Sequence, residues 1–157
     1  MSVELNLVNG ADLAPGLFLE RWHYFRRSET VGVKRAAELA SKKQARLHVL
    51  TINDIDHGFV TVGIHQRKNQ KLYHLQVIYL FVSAQFRKQK IDELEGMLAS
   101  EYMMGHVISQ SLQTSKFFPV SSIMLETASD RLFPLYESLE FSRLPDMTDW
   151  MSLPLPH

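Results

Sequence analysis

The sequence contains no cysteine, and this absence excludes disulfide bonds, thiolate zinc sites and a cysteine nucleophile. It also lacks any apolar run near the ~18 residues that a membrane-spanning helix needs. The first residues, MSVELNLVNG, do not show the basic and then apolar pattern of a secretory signal. No linker rich in glycine, serine or proline and no internal repeat divides the 157 residues. The sequence therefore predicts one domain over residues 1–157, in the cytoplasm and with no membrane partner.

Each half of the chain is poor in charge of one sign, although the net charge is zero. Residues 1–90 carry 14 Lys and Arg against 7 Asp and Glu, and residues 91–157 carry 3 against 10. The basic residues gather in the region of the first predicted helices: Arg21, Arg26, Arg27, Lys34, Arg35, Lys42, Lys43 and Arg46. One interpretation is a set of solvated helix faces, and the other is a positive surface for an acidic protein partner or a phosphorylated substrate. Aromatic residues do not alternate with these cations as in single-stranded nucleic-acid platforms, so no nucleic-acid partner is expected.

Hydrophobic periodicity predicts a short strand, two helices and three strands in the first part of the chain. The first helix is expected to be capped by Asp12 and to carry Trp22 and Phe25 on its apolar stripe. The second helix is expected over 33–43. The three strands, joined by short polar turns, predict an antiparallel meander: 46–52, 59–65 and 72–82.

The second part of the chain predicts a long helix, a strand, a short helix and a last strand. The long helix is expected to begin near Asp92, with a bend or break at Gly105. The other elements are expected near 117–127, 130–140 and 150–155, and Pro134 should delay the start of the short helix. The order β-α-α-β-β-β-α-β-α-β indicates an α+β domain with a mixed sheet. The strands near 72–82 and 121–127 should be parallel, because a helix connects them.

Two segments resemble a known family. Between Leu80 and Glu95 the chain passes from a strand through a basic turn toward a helix, a junction that suits a phosphorylated ligand. Its segment Phe86-Arg87-Lys88-Gln89-Lys90-Ile91-Asp92 resembles the pyrophosphate loop of the GCN5-related N-acetyltransferases, with Arg87 at the first position of the motif. That loop carries Arg or Gln, two free positions, Gly, one free position, and Gly or Ala. The second segment, Leu135-Tyr136-Glu137-Ser138-Leu139-Glu140-Phe141, resembles the family's Leu-Tyr-x-x-Leu-Gly-Phe, and the element order is also the family's.

The resemblance implies a mixed sheet of six or seven strands flanked by about four helices. It implies transfer of an acetyl or other acyl group from acetyl-CoA to an amine of a small molecule or a protein, and it leaves a homodimer open. The implied donor-binding residues are Phe81 and Val82 along the pantetheine arm, Arg87, Lys88, Gln89, Lys90, Ile91 and Asp92 in the loop, and Ser129 at the position of a family Asn. Tyr136 matches the family's Tyr that protonates the leaving thiolate.

Three glycines of the family are replaced here, by Lys90, Asp92 and Glu140. Glycine lets backbone approach a pyrophosphate closely, so the first two replacements narrow that approach. Asp92 and Glu95 have the spacing of a capping box, which predicts Asp92 Oδ on the N–H of Leu94 or Glu95. Lysine and arginine side chains can instead bind phosphate directly. Two alternatives remain open: an acyl carrier protein as donor, and a catalytically silent domain that binds or regulates a partner.

Acyl transfer to an amine also needs a group that takes a proton. Glu126, on the strand predicted near 117–127, and His74, on the strand near 72–82, are the candidates. The cleft is expected where these two strands splay apart at their C-terminal ends, lined by Phe81, Val82, Glu126 and Tyr136. His48, His57 and His65 do not have the spacing of metal ligands, so no metal is expected.

Overall fold

The computed structural model describes residues 2–67, 71–127 and 132–156, and in these residues the chain forms seven strands and four α-helices. The helices are α1 Pro15–Glu20, α2 Glu29–Ser41, α3 Ala99–Thr114 and α4 Phe133–Ser138. The strands are β1 Val3–Leu7, β2 Arg46–Ile52, β3 Ile55–Gln66, β4 Tyr73–Val82, β5 Val120–Glu126, β6 Ser142–Arg143 and β7 Trp150–Pro154. No helix of the described ranges is long and apolar enough to cross a membrane.

The described strands hydrogen-bond in the order β1-β2-β3-β4-β5-β7-β6. β1 with β2, β2 with β3, β5 with β7 and β6 with β7 are antiparallel pairs. β4 and β5 are parallel, as expected for strands joined through a helix, and their ladder runs from Tyr73 opposite Val120 to Val77 opposite Leu125. The predicted α+β fold with a mixed sheet is therefore confirmed, whereas the splay beyond the ladder stays a prediction.

The chain forms two compact units, each assembled from two separate stretches of sequence. The first unit comprises Met1–Val62 and Tyr79–Val107, and the second comprises Gly63–Ile78 and Ile108–His157. Because β3 and β4 each contribute residues to both units, neither unit is a continuous piece of chain. The expected single domain over 1–157 stays a prediction.

Four aromatic rings form the centre of the first unit. Phe18, Trp22, Phe59 and Phe81 are each at most 5% exposed. The ring centroids of Phe18 and Phe59 are 5.3 Å apart, and those of Trp22 and Phe81 are 5.8 Å apart with the rings nearly perpendicular. Edge-to-face contacts of this kind add ~0.5–1.5 kcal/mol per pair to the area buried. This cluster holds the helical segment before β2 against β3 and β4.

Close approach at Gly32 brings α2 against the end of β4. A Cβ atom at Gly32 would lie 2.3 Å from Cε2 of Tyr79, so only glycine allows the ring to pack there. Val33, Ala36 and Ala37 complete the buried face of α2. The first turn of α2 is thereby held near the last residues of β4.

The second unit buries the central residues of β5 and one face of α4. Ile123, Met124 and Leu125 are each at most 2% exposed, and β7 covers this strand along its whole ladder. From α4, Phe133 and Tyr136 are buried. The helix begins at Phe133 with Pro134 in its first turn, in agreement with the expected delay, and residues 128–131 lie outside the described ranges.

The first three helices differ from their predicted positions: the N-cap of α1 is Ala14 and not Asp12, and α2 is Glu29–Ser41 rather than 33–43. α1 ends at Glu20, so Trp22 is a buried residue of the loop that follows and Phe25, expected on an apolar stripe, is 74% exposed. The long helix begins at Ala99 and not near Asp92, and it continues through Gly105 without a break. An exposed helical glycine weakens a helix by ~1 kcal/mol relative to alanine, which packing of the neighbouring turns offsets here.

Candidate functional site

The segment after β4 is anchored to the rest of the first unit. The backbone N–H of Ser83 donates to the His57 carbonyl at 2.9 Å, and the Ser83 hydroxyl accepts from the His23 N–H at 2.8 Å. The Ala84 N–H donates to the His23 carbonyl at 2.8 Å. The Phe86 ring stacks on His57 with 3.7 Å between centroids. Residues 83–87, which we name the stem, therefore have a defined position.

Arg87, the residue that matches the family's loop, closes the stem through internal contacts. Its Nε donates to the Val82 carbonyl at 2.7 Å, and its Nη2 lies 2.5 Å from Glu29 Oε2. The guanidinium carbon lies 5.2 Å from the centroid of the Phe81 ring. The arginine thus joins the end of β4 to the first turn of α2.

Glu29 receives three hydrogen bonds where the chain enters α2. Its Oε1 accepts from the backbone N–H groups of Phe25 and Arg26, both at 2.8 Å, while Oε2 pairs with Arg87. Burial acts to raise the pKa of Glu29, but the hydrogen bonds from Arg87, Arg26 and Phe25 outweigh it, and the pKa is lowered. The group is therefore a carboxylate at neutral pH.

Two tyrosines complete this cluster of titratable groups. Burial raises the pKa of Tyr24 to about 12, with Tyr79 and Glu29 acting in the same direction. Burial also raises the pKa of Tyr79, again helped by Glu29 and opposed by Arg87. Both hydroxyls keep their protons at neutral pH, and that of Tyr24 donates to the Leu19 carbonyl at 2.8 Å.

Sequence reasoning did not identify Glu29, Tyr24 or Tyr79 as part of this cluster. The position of Tyr79 could have been predicted from the sequence, because Tyr79 lies two residues before Phe81 and therefore on the same face of the strand. That of Glu29 could not, because its partner Arg87 lies far along the chain and an acidic first-turn residue is ordinary for a helix.

Beyond the stem, residues 88–90, which we name the tip, are open to solvent. Lys88, Gln89 and Lys90 are all exposed, and in the described residues their backbone N–H groups have no hydrogen-bond partner. Lys88 has a φ of 59°, which turns the backbone at the start of the tip. Three free N–H groups and two ammonium groups fit a phosphate or pyrophosphate.

The expected self-capped helix after the tip is wrong. The Leu94 N–H donates to the Ile91 carbonyl and the Glu95 N–H to the Asp92 carbonyl, both at 3.0 Å, so the Asp92 carboxylate caps neither. Glu95 and Gly96 have φ values of 57° and 82°, and Ile91 forms a β-bridge with Met97. This closed turn replaces the first part of the predicted helix, since left-handed residues end a helix.

The acidic residue that helps to cap α3 is Glu101. Its Oε1 accepts from the Leu98 N–H at 3.1 Å, three residues before it, which is the reaching-back half of a capping box. Ile91 is buried and Asp92 is exposed at the start of the closed turn. The tip therefore carries the two lysines of the expected loop together with its own unpaired N–H groups.

The remaining predicted site residues lie in the second unit or outside the described ranges. Tyr136 is 7% exposed, and burial raises the pKa of its hydroxyl. Glu126 is an exposed residue at the end of β5. Ser129 falls within 128–131, outside the described residues. The roles assigned to these residues stay predictions.

His74, the other base candidate, is buried in the second unit. Its Nδ1 lies 2.6 Å from the Ser122 hydroxyl, on the paired strand. Burial lowers the pKa of His74, and His65 and Arg67 act in the same direction, so the ring is neutral near pH 7. Its other ring nitrogen is buried without a partner among the described residues. No three His, Asp or Glu of the described ranges converge as metal ligands.

Many solved structures match this chain, and several of them match nearly its whole length. A crystal structure of AtaTR bound with acetyl-CoA has a TM-score of 0.75 at 11% identity, covering 97% of this chain and 92% of that chain. A KacTA–DNA complex has a TM-score of 0.74 at 14% identity, over 98% and 93%. AtaT complexed with acetyl-methionyl-tRNAfMet has a TM-score of 0.72 at 11% identity, over 98% and 95%. No family model and no curated protein matches the sequence.

At these identities the likeness shows the fold, and the fold is that of the GCN5-related N-acetyltransferases, as the sequence predicted. The expectation of no nucleic-acid partner is wrong. KacTA is bound to DNA and AtaT to a tRNA in structures of this fold, and AtaT is also bound to the antitoxin AtaR. A lack of alternating cations and aromatic residues in the sequence therefore does not exclude nucleic acid for a chain that folds in this way.

Proposed function

We propose that this chain transfers an acyl group, acetyl from acetyl-CoA, to an amine, and that the tip binds the pyrophosphate of the donor. The observation that carries the proposal is the tip itself: three unpaired N–H groups and two lysines on an anchored stem. Charge-assisted hydrogen bonds from such donors to phosphate are shorter and stronger than neutral ones. The AtaTR structure, which has acetyl-CoA bound, supports acetyl-CoA as the ligand for this fold.

The stem explains why the tip can bind without glycine at Lys90 and Asp92. Neither residue has a positive φ, so their side chains impose no backbone strain. Contacts of Ser83 with His23 and of Arg87 with Glu29 fix the stem, so little backbone conformational entropy is lost in the stem when the tip binds. In this chain lysine side chains take over part of the binding that close backbone approach provides when glycine is present.

Proton transfer is assigned to two residues of the second unit. Acetyl-CoA supplies a thioester whose departing thiolate needs a proton. Tyr136 is suited to this role because burial raises its pKa and keeps the hydroxyl protonated at neutral pH. Glu126 is an exposed carboxylate that takes the proton of the acceptor amine, directly or through water.

A thermal melt with acetyl-CoA tests the tip. A ligand at 100 times its dissociation constant adds ~2.7 kcal/mol to the free energy of unfolding, or on the order of 5–10 °C for a chain of this length. We expect that shift for the parent and its loss in the variant Lys88→Ala/Lys90→Ala. The control Lys71→Ala/Lys116→Ala removes two exposed lysines outside the stem and tip and should keep the shift.

Acetylpantetheine, which lacks the pyrophosphate, should produce a much smaller shift than acetyl-CoA at the same concentration. A full shift in the tip variant would contradict the assignment of the pyrophosphate site. Release of the free thiol of CoA in the presence of an amine then tests transfer itself.

One observation favours a second function, a domain without catalysis that binds a partner. The guanidinium of Arg87 is occupied by Glu29 and by the Val82 carbonyl, and so is not free for phosphate. A parent protein that shows no shift with acetyl-CoA at millimolar concentration would favour this function over transfer.

A further inference from the structure

The outer side of α2 carries cations without counter-ions. We name six exposed residues the α2 basic face: Arg26, Arg27, Lys34, Arg35, Lys42 and Lys43. In the described part of the chain none of them forms an ion pair. Arg21, which the sequence grouped with them, does not belong to this face, because it pairs with Asp56 at 2.9 Å.

The positions of these residues follow the helical repeat. Lys42, the residue that follows α2, comes seven and eight residues after Arg35 and Lys34, and residues at these two spacings lie on the same side of a helix. Arg26 and Arg27 lie on the turn that leads into the helix, because their carbonyls accept from the Glu29 and Thr30 N–H groups. Lys43 follows the helix end. The cations therefore extend along the whole of α2, a length of about 20 Å.

Acidic residues do little to neutralise this face. Residues 26–46 contain two acids, Glu29 and Glu38. The Glu29 carboxylate points inward to Arg87, and Glu38 is half-buried. Uncompensated charge of this density attracts a polyanion.

An exposed aromatic ring lies at the start of the basic face. Phe25 is 74% exposed, and the Arg26 guanidinium lies 5.9 Å from its centroid. The sequence predicted this ring on a buried stripe, and so did not count it beside the cations. An exposed ring next to arginine is a stacking surface for an unpaired base, whereas an acidic protein surface has no need of it.

We propose that the α2 basic face and Phe25 bind single-stranded nucleic acid, with the cations on phosphates and the ring on a base. The inference is independent of acyl transfer, because it concerns α2 and not the tip. Each phosphate contact that releases a counterion lowers the slope of log K against log salt by about 0.7 for a single strand.

Fluorescence anisotropy with a labelled single-stranded RNA of about 20 nucleotides, from about 50 to 200 mM salt, tests the proposal. We expect binding that weakens steeply with salt. Lys34→Glu/Arg35→Glu should reduce the salt slope by about 1.4, the value for two lost contacts. The control Lys71→Glu/Lys116→Glu makes the same charge change at two exposed lysines that do not belong to the α2 basic face, and it should bind like the parent.

The variant Phe25→Ala isolates the stacking. It should weaken single-stranded RNA roughly five- to a hundredfold and leave a duplex of the same sequence nearly unchanged. Its control is Phe117→Ala, which removes another exposed ring, 82% accessible, in the second unit. Both variants should keep the parent's melting temperature, because both rings are at the surface.

Four results would overturn the proposal. They are no binding at about 50 mM salt, equal weakening by the control charge reversal, no effect of Phe25→Ala, and polyglutamate bound as tightly as RNA of equal charge. The last result would point to an acidic protein as the partner of this face.

Discussion

At the residue scale, Glu140 shows why the family motif carries glycine at its position. The Glu140 N–H donates to the Glu137 carbonyl and the Phe141 N–H to the Tyr136 carbonyl, both at 3.0 Å, which is the Schellman pattern at the end of α4. The pattern requires a left-handed residue, and Glu140 has a φ of 74°. The Tyr136 and Phe141 rings supply its hydrophobic contact, with centroids 6.0 Å apart. The glycine position of the motif, Glu140 here, therefore ends the helix, whereas the catalytic candidate of the motif is Tyr136.

Restoring glycine should have opposite effects at two of the replaced positions. Glu140→Gly should raise the free energy of unfolding by about 1 kcal/mol, because a left-handed residue with a Cβ costs roughly 1–2 kcal/mol. Lys90→Gly should lower it by about 0.5–1 kcal/mol, because Lys90 does not have a positive φ and glycine only adds freedom to the unfolded chain. Urea unfolding measures both changes. Equal signs would contradict the explanation.

At the element scale, the sequence predicted the bounds of a regular strand such as β2 more accurately than the conformation of the segments between elements. β2 has the predicted bounds, Arg46–Ile52, because its apolar residues are buried: Leu47, Val49, Leu50 and Ile52. A bulge between Leu50 and Thr51 shifts the register, which strict alternation did not predict. The predicted helix start near Asp92 was wrong because it relied on the capping-box spacing of Asp92 and Glu95 and took no account of Gly96. Gly96 and Glu95 form the left-handed end of a closed turn there, and buried Leu94 holds it in place.

Part of the candidate site was also predictable from the sequence. The motif placed Arg87 and the two tip lysines on the loop after β4, where the structure has them. The partners of Arg87 could not be read in this way, because a contact between α2 and the end of β4 depends on tertiary packing. The exposure of Phe25 was missed for a different reason: periodicity alone does not show where a helix ends, and α1 ends before Phe25.

The contact between Glu29 and Arg87 should stabilise the junction of α2 with β4. Glu29→Gln should lower the free energy of unfolding at pH 7 by about 1–2 kcal/mol, because hydrogen bonds to a charged group are lost. Since the folded state lowers the pKa of Glu29, its contribution is complete above the ordinary value of 4.5 and is lost as the pH falls through the lowered value. The deficit of the variant should therefore shrink as the pH is lowered below 4.5, as measured by urea unfolding over a series of pH values.

Two controls support that measurement. Glu20→Gln changes an exposed carboxylate in α1 and should leave stability unchanged across the same series of pH values. Arg87→Ala alone and combined with Glu29→Gln completes a double-mutant cycle, and a coupling energy near zero would show that the pair contributes nothing.

At the scale of the whole molecule, chain connectivity bears on cooperativity. Each unit consists of two stretches of sequence, and β3 and β4 each pass from one unit to the other. When such a strand loses its hydrogen bonds in one unit, the adjacent hydrogen bonds of the same strand in the other unit are disturbed as well. This continuity favours unfolding of the chain in one step.

The two tryptophans of the sequence can show whether the two units unfold together, because Trp22 lies in the first unit and Trp150 in the second. Trp22 is buried among aromatic rings, and Trp150 stacks on His65 with 5.6 Å between centroids, so the fluorescence of each should change on unfolding. In Trp150→Phe the emission follows the first unit, and in Trp22→Phe it follows the second. We expect the fluorescence and far-ultraviolet circular dichroism midpoints in urea to coincide within each variant, whatever the loss of stability. Separate midpoints in either variant would show that the units unfold independently, and the chain would then behave as two cooperative units rather than one.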